Sequence, residues 1–328
     1  MHPKVVVVGS FVQDLSWKCE GFPGPGETVI GRFASGPGGK GSNQAVASGR
    51  AGVPTLFVGA VGADGFAREA ARFYRSEGIA ARFVVKRGYP TATAAVLVNA
   101  DGQNEIVVAL GASERLAPRD IPLPPIRRAS IVVCQHEASL SANAFVFRTA
   151  RRSGAATLLN PAPMRRDFDP GILALTDILV PNESECLALA ARLPACRAWV
   201  RRRLPGLLGP LGVAELERME PRLLNQLCRR MGVPTVVVTL GRRGCLVSQG
   251  EDAFTLLPAH EGIRVVDTTG AGDAFIGGFA AGFVQHSGDM VAAARLGNAV
   301  AALSITKFGT APSMPTQAQT RRFLAGRP

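Results

Sequence analysis

What this chain has little of narrows its reading first. Aromatic residues make up only 6% of its 328 residues, so a stacking platform for single-stranded nucleic acid is poorly supported. The six cysteines (Cys19, Cys134, Cys186, Cys196, Cys228 and Cys245) are scattered and form no CxxC pair. In a chain this long they read as reduced and mostly buried. The four histidines show no HExxH or paired-ligand spacing, which argues against a protein-held zinc site. No apolar run reaches the ~18 residues that suggest a membrane span. The amino-terminal MHPKVVVVGSFVQD meets Gly9, Ser10 and Asp14 too soon for the long apolar region of a signal peptide. A soluble cytoplasmic protein without a membrane partner is expected.

Acidic residues are also in deficit, 25 against 37 Lys and Arg, for a net charge of +12. Such a surface attracts anions, whether nucleic acid, lipid or a phosphorylated small molecule. The basic clusters at 151–153, 165–166, 201–203 and 229–230 carry no interleaved aromatics. They read as solvated faces, and no groove-reading motif is visible, so no nucleic-acid partner is expected.

The chain does have apolar substance, at 47% hydrophobic residues, enough for a sizeable core. Val5–Val8 is a β-branched run ending at Gly9, as a buried strand would. TLFVGAVG, IVVC, ATLLN, DILVPN and TVVVTLG are further strand-like runs, separated by helical stretches. That alternation predicts an α/β fold with a mostly parallel sheet. Residues 91–110 break it, reading as two strands joined by Asn99-Ala100-Asp101-Gly102, a hairpin suited to a small antiparallel lid. The proline- and arginine-rich segment 190–222 reads as an insertion or long surface connection.

Four short motifs carry the chemistry. DTTGAGDAF at 267–275 runs from a flexible turn into a helix-like stretch. Glycines at such a junction leave backbone N–H groups free at the positive end of the helix dipole, which binds anions. Asp273 in that first turn is either a helix-start stabiliser or a base working beside a phosphate. GPGGKGSNQA at 36–45 matches a dinucleotide fingerprint formally, but it does not directly follow the first strand. It also fails the phosphate-loop pattern, with Ala34 in place of the first glycine and Gly41 after Lys40. It is either a close-approach loop offering donors from Lys40 and Asn43 or a capped turn. PNESE at 181–185 is also a capping box, with Asn182 and Glu185 three apart. TLGRRG at 239–244 follows a strand, where α/β sheets bind ligands, and is equally readable as an ordinary turn.

Taken in order, these motifs resemble the ribokinase-like, or PfkB, carbohydrate kinases. The resemblance is carried by GS…D at 9–14, PGETV at 25–29, GGKGSNQAVA at 38–47, HE at 136–137 and LNPAP at 159–163. It continues through PNESE, TLGRRG, VDTTGAGDAF and TKFGTAPSMP at 306–315, and spans nearly the whole chain except about 190–230. It implies one ribokinase-like domain over 1–328, a three-layer sandwich with a central, mostly parallel sheet. A small β-lid would come from about 11–36 and 91–110.

The resemblance also implies ATP-dependent phosphorylation of a hydroxymethyl group on a sugar, ribose or a related pentose or ketose. Asp273 would be the general base, and the amides of Gly270, Ala271 and Gly272 the anion hole. Asp14, Gly39, Lys40, Asn43 and Glu137 would contact the sugar. Asn182, Glu185, Thr239, Gly241, Gly244 and Asn298 would border the nucleotide, with Asn182 and Glu185 linked to Mg²⁺ and phosphate. Asp267, Thr269, Ser304, Lys307, Gly309 and Ser313 look like the family's monovalent-cation loop, for K⁺. A homodimer through the lid is a further implication. Ribokinases usually carry an asparagine two residues before the sugar-binding aspartate. Val12 stands there instead, and loss of that donor changes specificity. A nucleoside kinase of the same family, and a sugar- or nucleotide-binding regulator without turnover, are the alternatives.

Overall fold

The computed structural model describes residues 2–101, 103–204 and 211–326. Gly102 of the expected hairpin turn and positions 205–210 of the expected insertion lie outside them. Thirteen strands and eleven α-helices follow one another along the described residues. The strands are β1 (Val5–Val8), β2 (Val12–Lys18), β3 (Arg32–Gly38), β4 (Thr55–Val61), β5 (Ala80–Val85), β6 (Ala92–Val98) and β7 (Asn104–Ala109). Then come β8 (Ile131–Cys134), β9 (Ala156–Leu159), β10 (Ile178–Leu179), β11 (Thr235–Thr239), β12 (Cys245–Ser248) and β13 (Phe254–Leu257). The helices are α1 (Lys40–Arg50), α2 (Gly65–Glu77), α3 (Leu123–Arg128), α4 (Leu140–Arg152), α5 (Glu183–Arg192) and α6 (Pro194–Arg203). They continue as α7 (Val213–Arg218), α8 (Pro221–Arg229), α9 (Ala271–Gln285), α10 (Met290–Ser304) and α11 (Gln317–Ala325).

Nine strands form one sheet in the order β13-β12-β11-β10-β9-β8-β1-β4-β5. All neighbours are parallel except β11–β12 and β12–β13. β1 is buried on both faces. Val5 and Val7 enter one core with α1, α2, α9 and α10, whereas Val6 and Val8 enter the other with α3 through α8. That two-sided burial is why the strand reads as an unbroken apolar run. The result is a three-layer α/β sandwich. The chain leaves β1 towards β4 and β5, then returns to β8 on the other side of β1. This switch point, at the carboxyl ends of the strands, is where open α/β sheets bind ligands.

The second sheet has four strands, in the order β3-β2-β6-β7. It joins strands from both segments expected to make a lid. β6 and β7 pair antiparallel, as the hairpin reading requires. β3 runs on to Gly38, so Gly36 and Gly38 belong to a strand of the second sheet and not to a dinucleotide-binding loop.

Two further features position the site. Helices α1 and α9 lie unusually close. A Cβ built on Gly277 would fall 2.4 Å from Ala47 Cβ and 2.5 Å from the Gln44 carbonyl oxygen. The stretch 190–222 is also not an irregular connection where described. It contains α6 and α7 and reaches α8, and Cys196, Trp199 and Leu216 are buried in the core. All six cysteines are buried and unpaired. Among the described residues, no helix is long and apolar enough to cross a membrane.

Candidate active site

Successive parallel strands each deliver polar groups at their carboxyl ends. Ser10 follows β1, Gln135 and Glu137 follow β8, and Asn160 follows β9. Asn182 follows β10, and Thr239 closes β11. These groups face the amino termini of α1 and α9, which the two glycine motifs start.

At the start of α9, Gly270 takes the left-handed conformation (φ 80°) and caps the helix. The Ala271 N–H donates to the Thr268 carbonyl at 3.2 Å. The Gly270 and Gly272 amides meet no acceptor among the described residues. Two unmet donors at the positive end of a helix are the kind of groups that anions bind. Asp273 sits in the same turn, buried. Its Oδ2 accepts from Asn43 Nδ2 and its Oδ1 from Gln44 Nε2, both at 2.9 Å. The carboxylate is therefore held by α1 and does not cap its own helix through its side chain.

At the start of α1, Gly39 has φ 89°, and a Cβ there would lie 2.7 Å from the Val12 nitrogen. No other residue fits between helix and lid strand at that point. The Lys40 N–H and Ser10 Oγ both donate to Glu137 Oε2, at 2.8 and 2.5 Å. Burial pulls the Lys40 ammonium down, but Asp273, Glu137 and Glu185 more than offset this, so its pKa is raised. Burial pushes the Glu137 and Glu185 carboxyls up.

Asp14 projects from β2 and accepts from Thr310 Oγ1 at 3.3 Å. Burial drives its pKa up to about 7 against that hydrogen bond, and the charges of Glu137 and Asp273 add to the rise. Val12, two residues earlier, is buried against Ala92 and Ala94 in a small apolar cluster of the four-stranded sheet.

Asn182 and Glu185 form the capping box in full. The Asn182 Oδ1 accepts from the Glu185 N–H at 2.8 Å, and Glu185 Oε2 from the Asn182 N–H at 3.0 Å. They also line one cleft with Lys40, Thr239, Gly270, Ala271, Gly272 and Asp273. Capping and site roles are thus compatible. Gly241 and Gly244 bracket the tight turn after β11. Asn298 lies outside that cleft lining, its Nδ2 donating to the Pro258 carbonyl at 3.2 Å.

The third cluster ties two loops together. Asp267 accepts from the Thr269 N–H and the Gly309 N–H, each at 2.9 Å. The Ser304 and Ser313 hydroxyls donate to the carbonyls of Ala301 and Thr310, and the Lys307 N–H donates to the Ser304 carbonyl. Among the described residues no group of three or more His, Cys, Asp or Glu could hold a metal. Any cation here would depend on one carboxylate and backbone carbonyls.

Sequence reading missed several groups that the structure brings to the site. Ser10, Asn160 and Thr310 all lay inside motifs quoted for the resemblance but had no assigned partner. Gln44 stood beside Asn43, and Gln135 beside the HE pair. Gln44 also lay inside GGKGSNQAVA, but neither received a role, because their partners are distant in the chain.

A sheet switch point, a helix start with unmet amides and a carboxylate held beside it suit a phosphotransferase acting on a small hydroxyl-bearing molecule. Comparison with known proteins agrees and goes further. The pfkB family carbohydrate kinase signature matches residues 2–317, and the chain belongs to this family; it is an ATP-dependent kinase of sugar hydroxyls. It is 35% identical to a ribokinase of Mus musculus over 317 residues, covering 95% of this chain and 91% of that one. It is 33% identical to a deoxyribokinase of Salmonella typhi over 325 residues, covering 98% of each. Among solved structures, the ribokinase of Giardia lamblia superposes with a TM-score of 0.85 at 30% identity, covering 99% of each chain. The Arabidopsis thaliana ribokinase complexed with ribose and ATP gives 0.82 at 28% identity, covering 99% of each.

Proposed function

We propose that the protein transfers the γ-phosphoryl group of ATP to a hydroxymethyl group of a pentose, with Asp273 as the base. The observation that carries this is the single turn in which Asp273 and the unmet amides of Gly270 and Gly272 lie side by side. The acceptor hydroxyl attacks γ-phosphorus while its proton passes to Asp273. The bond from γ-phosphorus to the β,γ-bridging oxygen breaks, and ADP leaves. The helix start, with the Gly270, Ala271 and Gly272 turn, meets the charge that develops on the transferring group, and Lys40 adds a cation. Asp14, Gly39, Lys40, Asn43 and Glu137 hold the sugar. Asn182, Glu185, Thr239, Gly241, Gly244 and Asn298 border the nucleotide.

Glu185, with Asn182 beside it in the cleft, suits Mg²⁺, which takes few protein ligands and otherwise waters and phosphates. Mg²⁺ would neutralise phosphate charge there. The loop of Asp267, Thr269, Ser304, Lys307, Gly309 and Ser313 suits K⁺, bound by carbonyls and one carboxylate. It would fix the strand-to-helix turn that carries the anion site. An ATP-using enzyme with six free buried thiols fits a reducing cytoplasm. The lid's edge strands expose Phe33, Ile106, Val107 and Val108, an apolar surface suited to a second copy of the chain.

Val12 favours a second reading of the substrate. An apolar residue buried on the lid beside Asp14 cannot donate to a sugar hydroxyl, which suits a deoxy sugar, and the deoxyribokinase relative points the same way. The test is ADP release with ribose, 2-deoxyribose and nucleosides, in K⁺ and in Na⁺, for wild type and Asp273→Asn. Removing a general base should cut turnover by about 10²–10⁴. Near-normal turnover in Asp273→Asn would reject the base assignment.

A further inference from the structure

The proposed mechanism leaves one contact to Asp273 unused. Gln44, on α1, is fully buried. Its Nε2 lies 2.9 Å from Asp273 Oδ1 and 3.1 Å from Asn160 Oδ1. Its Oε1 accepts from Gln135 Nε2 at 2.6 Å. A carboxylate only accepts, so the nitrogen end of the Gln44 amide must face it. Gln135 is held in turn, since Asn143 Nδ2 donates to its backbone carbonyl at 2.6 Å. Asn160 is fixed by donation to the Val180 carbonyl at 3.1 Å. Both hydrogens of the Gln44 amide are thus committed, and its oxygen is matched by a donor. Turning it round would bring like atoms together in a buried site.

Asn43 binds the other oxygen of Asp273, but it is also a proposed sugar ligand. Gln44 has no such second duty. The charged groups acting electrostatically with Asp273 are Lys40, at the start of the same helix, Asp14 from the lid, Glu137 after β8 and Glu185 on α5. Three acids against one ammionium is a setting in which a neutral donor fixed on one oxygen matters.

We propose that Gln44 is a positioning residue for the phosphoryl transfer. Its amide, oriented by Gln135, holds Asp273 Oδ1 so that the carboxylate presents an unused lone pair to the acceptor hydroxyl. The inference rests on Asp273 being the base.

The test compares full-length wild type, Gln44→Met, Gln135→Leu and Asp273→Asn, with Mg²⁺-ATP and with ribose and 2-deoxyribose in parallel. In Gln44→Met, kcat should fall about 10- to 100-fold, as for other groups that orient a reacting residue. The sugar and ATP KM values should stay within about twofold, since the mutation removes no ligand contact. Gln135→Leu should give a weaker version of the same split. A crystal structure of Gln44→Met should show the Asp273 carboxylate rotated from its present plane, a readout independent of turnover.

Unchanged kcat, or an Asp273 carboxylate in its original place, would overturn the proposal. So would a loss shared by kcat, both KM values and thermal stability, which marks a purely structural residue. Full turnover in Asp273→Asn would instead overturn the base assignment and leave its own distinct signature.

Discussion

At the scale of single residues, the site is a set of acids held in unlike surroundings. Burial pushes the Asp14 carboxyl up to about 7, within the working range. Its carboxyl is protonated below that value and loses an acceptor for sugar hydroxyls. The sugar KM should therefore rise as pH falls through about 7, an effect absent from Asp14→Asn, which should bind sugar weakly throughout. Stability follows the opposite course. The folded chain holds this proton at a pH where the unfolded chain has released it, so folding gains as pH falls from above 7 towards 4. Thermal melts of Asp14→Asn at pH 8 should therefore lie above wild type. A lower melt would mean that the Thr310 hydrogen bond outweighs burial.

Val12 sets a second expectation at this scale. Val12→Asn restores an amide donor two residues from Asp14, on the same face of β2. A hydrogen bond of ordinary strength should improve kcat/KM for ribose relative to 2-deoxyribose by about tenfold. No change in that ratio would remove Val12 from the specificity argument. These residues were legible because each lies in a short motif. Their partners were not: Asn43 meets Asp273 across 230 positions and Asp14 meets Thr310 across 296. Spacing along a chain says nothing about contacts made by folding.

At the scale of elements, the parallel strands were readable because burial on both faces leaves an apolar run with no polar interruptions. β10 has only two paired residues, yet its surroundings made it visible. The antiparallel β12 and β13, on the sheet edge, were not named, having no helix between them to signal alternation. The segment 190–222, expected as an insertion or long surface connection, is mostly helical where described. Pro194 and Pro221 are the first residues of α6 and α8, where the missing N–H costs nothing and the fixed φ suits a helix start. They open helices in a stretch whose prolines suggested an irregular path. Trp199 on α6 is buried in the main core, so Trp199→Ala should destabilise by about 3–5 kcal/mol. A shift under about 1 kcal/mol in denaturant melts would return the segment to a peripheral role.

At the scale of the whole molecule, the two sheets divide the work. The nine-stranded sheet presents its carboxyl ends as a fixed base, and the four-stranded sheet brings Asp14 and Val12 to the same place. Phe33 and Val107 are 58% and 74% exposed on opposite edges of the smaller sheet. Sedimentation should show a dimer of wild type that Val107→Lys shifts towards monomer. A wild-type monomer at micromolar concentration would leave those edges without the proposed partner.

The seam between α1 and α9 has a consequence for how such a chain can change over generations. Asp273 lies one helical turn before Gly277, and Asn43 and Gln44 lie one turn before Ala47 and Ser48. The two helices therefore work like the jaws of a caliper, whose gap is set at Gly277 and read one turn away at the carboxylate. A single carbon added at the pivot meets Ala47 before it meets anything catalytic. A change in the plain apolar interior is thus answerable to ångström tolerances at the carboxylate, and a side chain at Gly277 would have to move α1 before it could be accommodated.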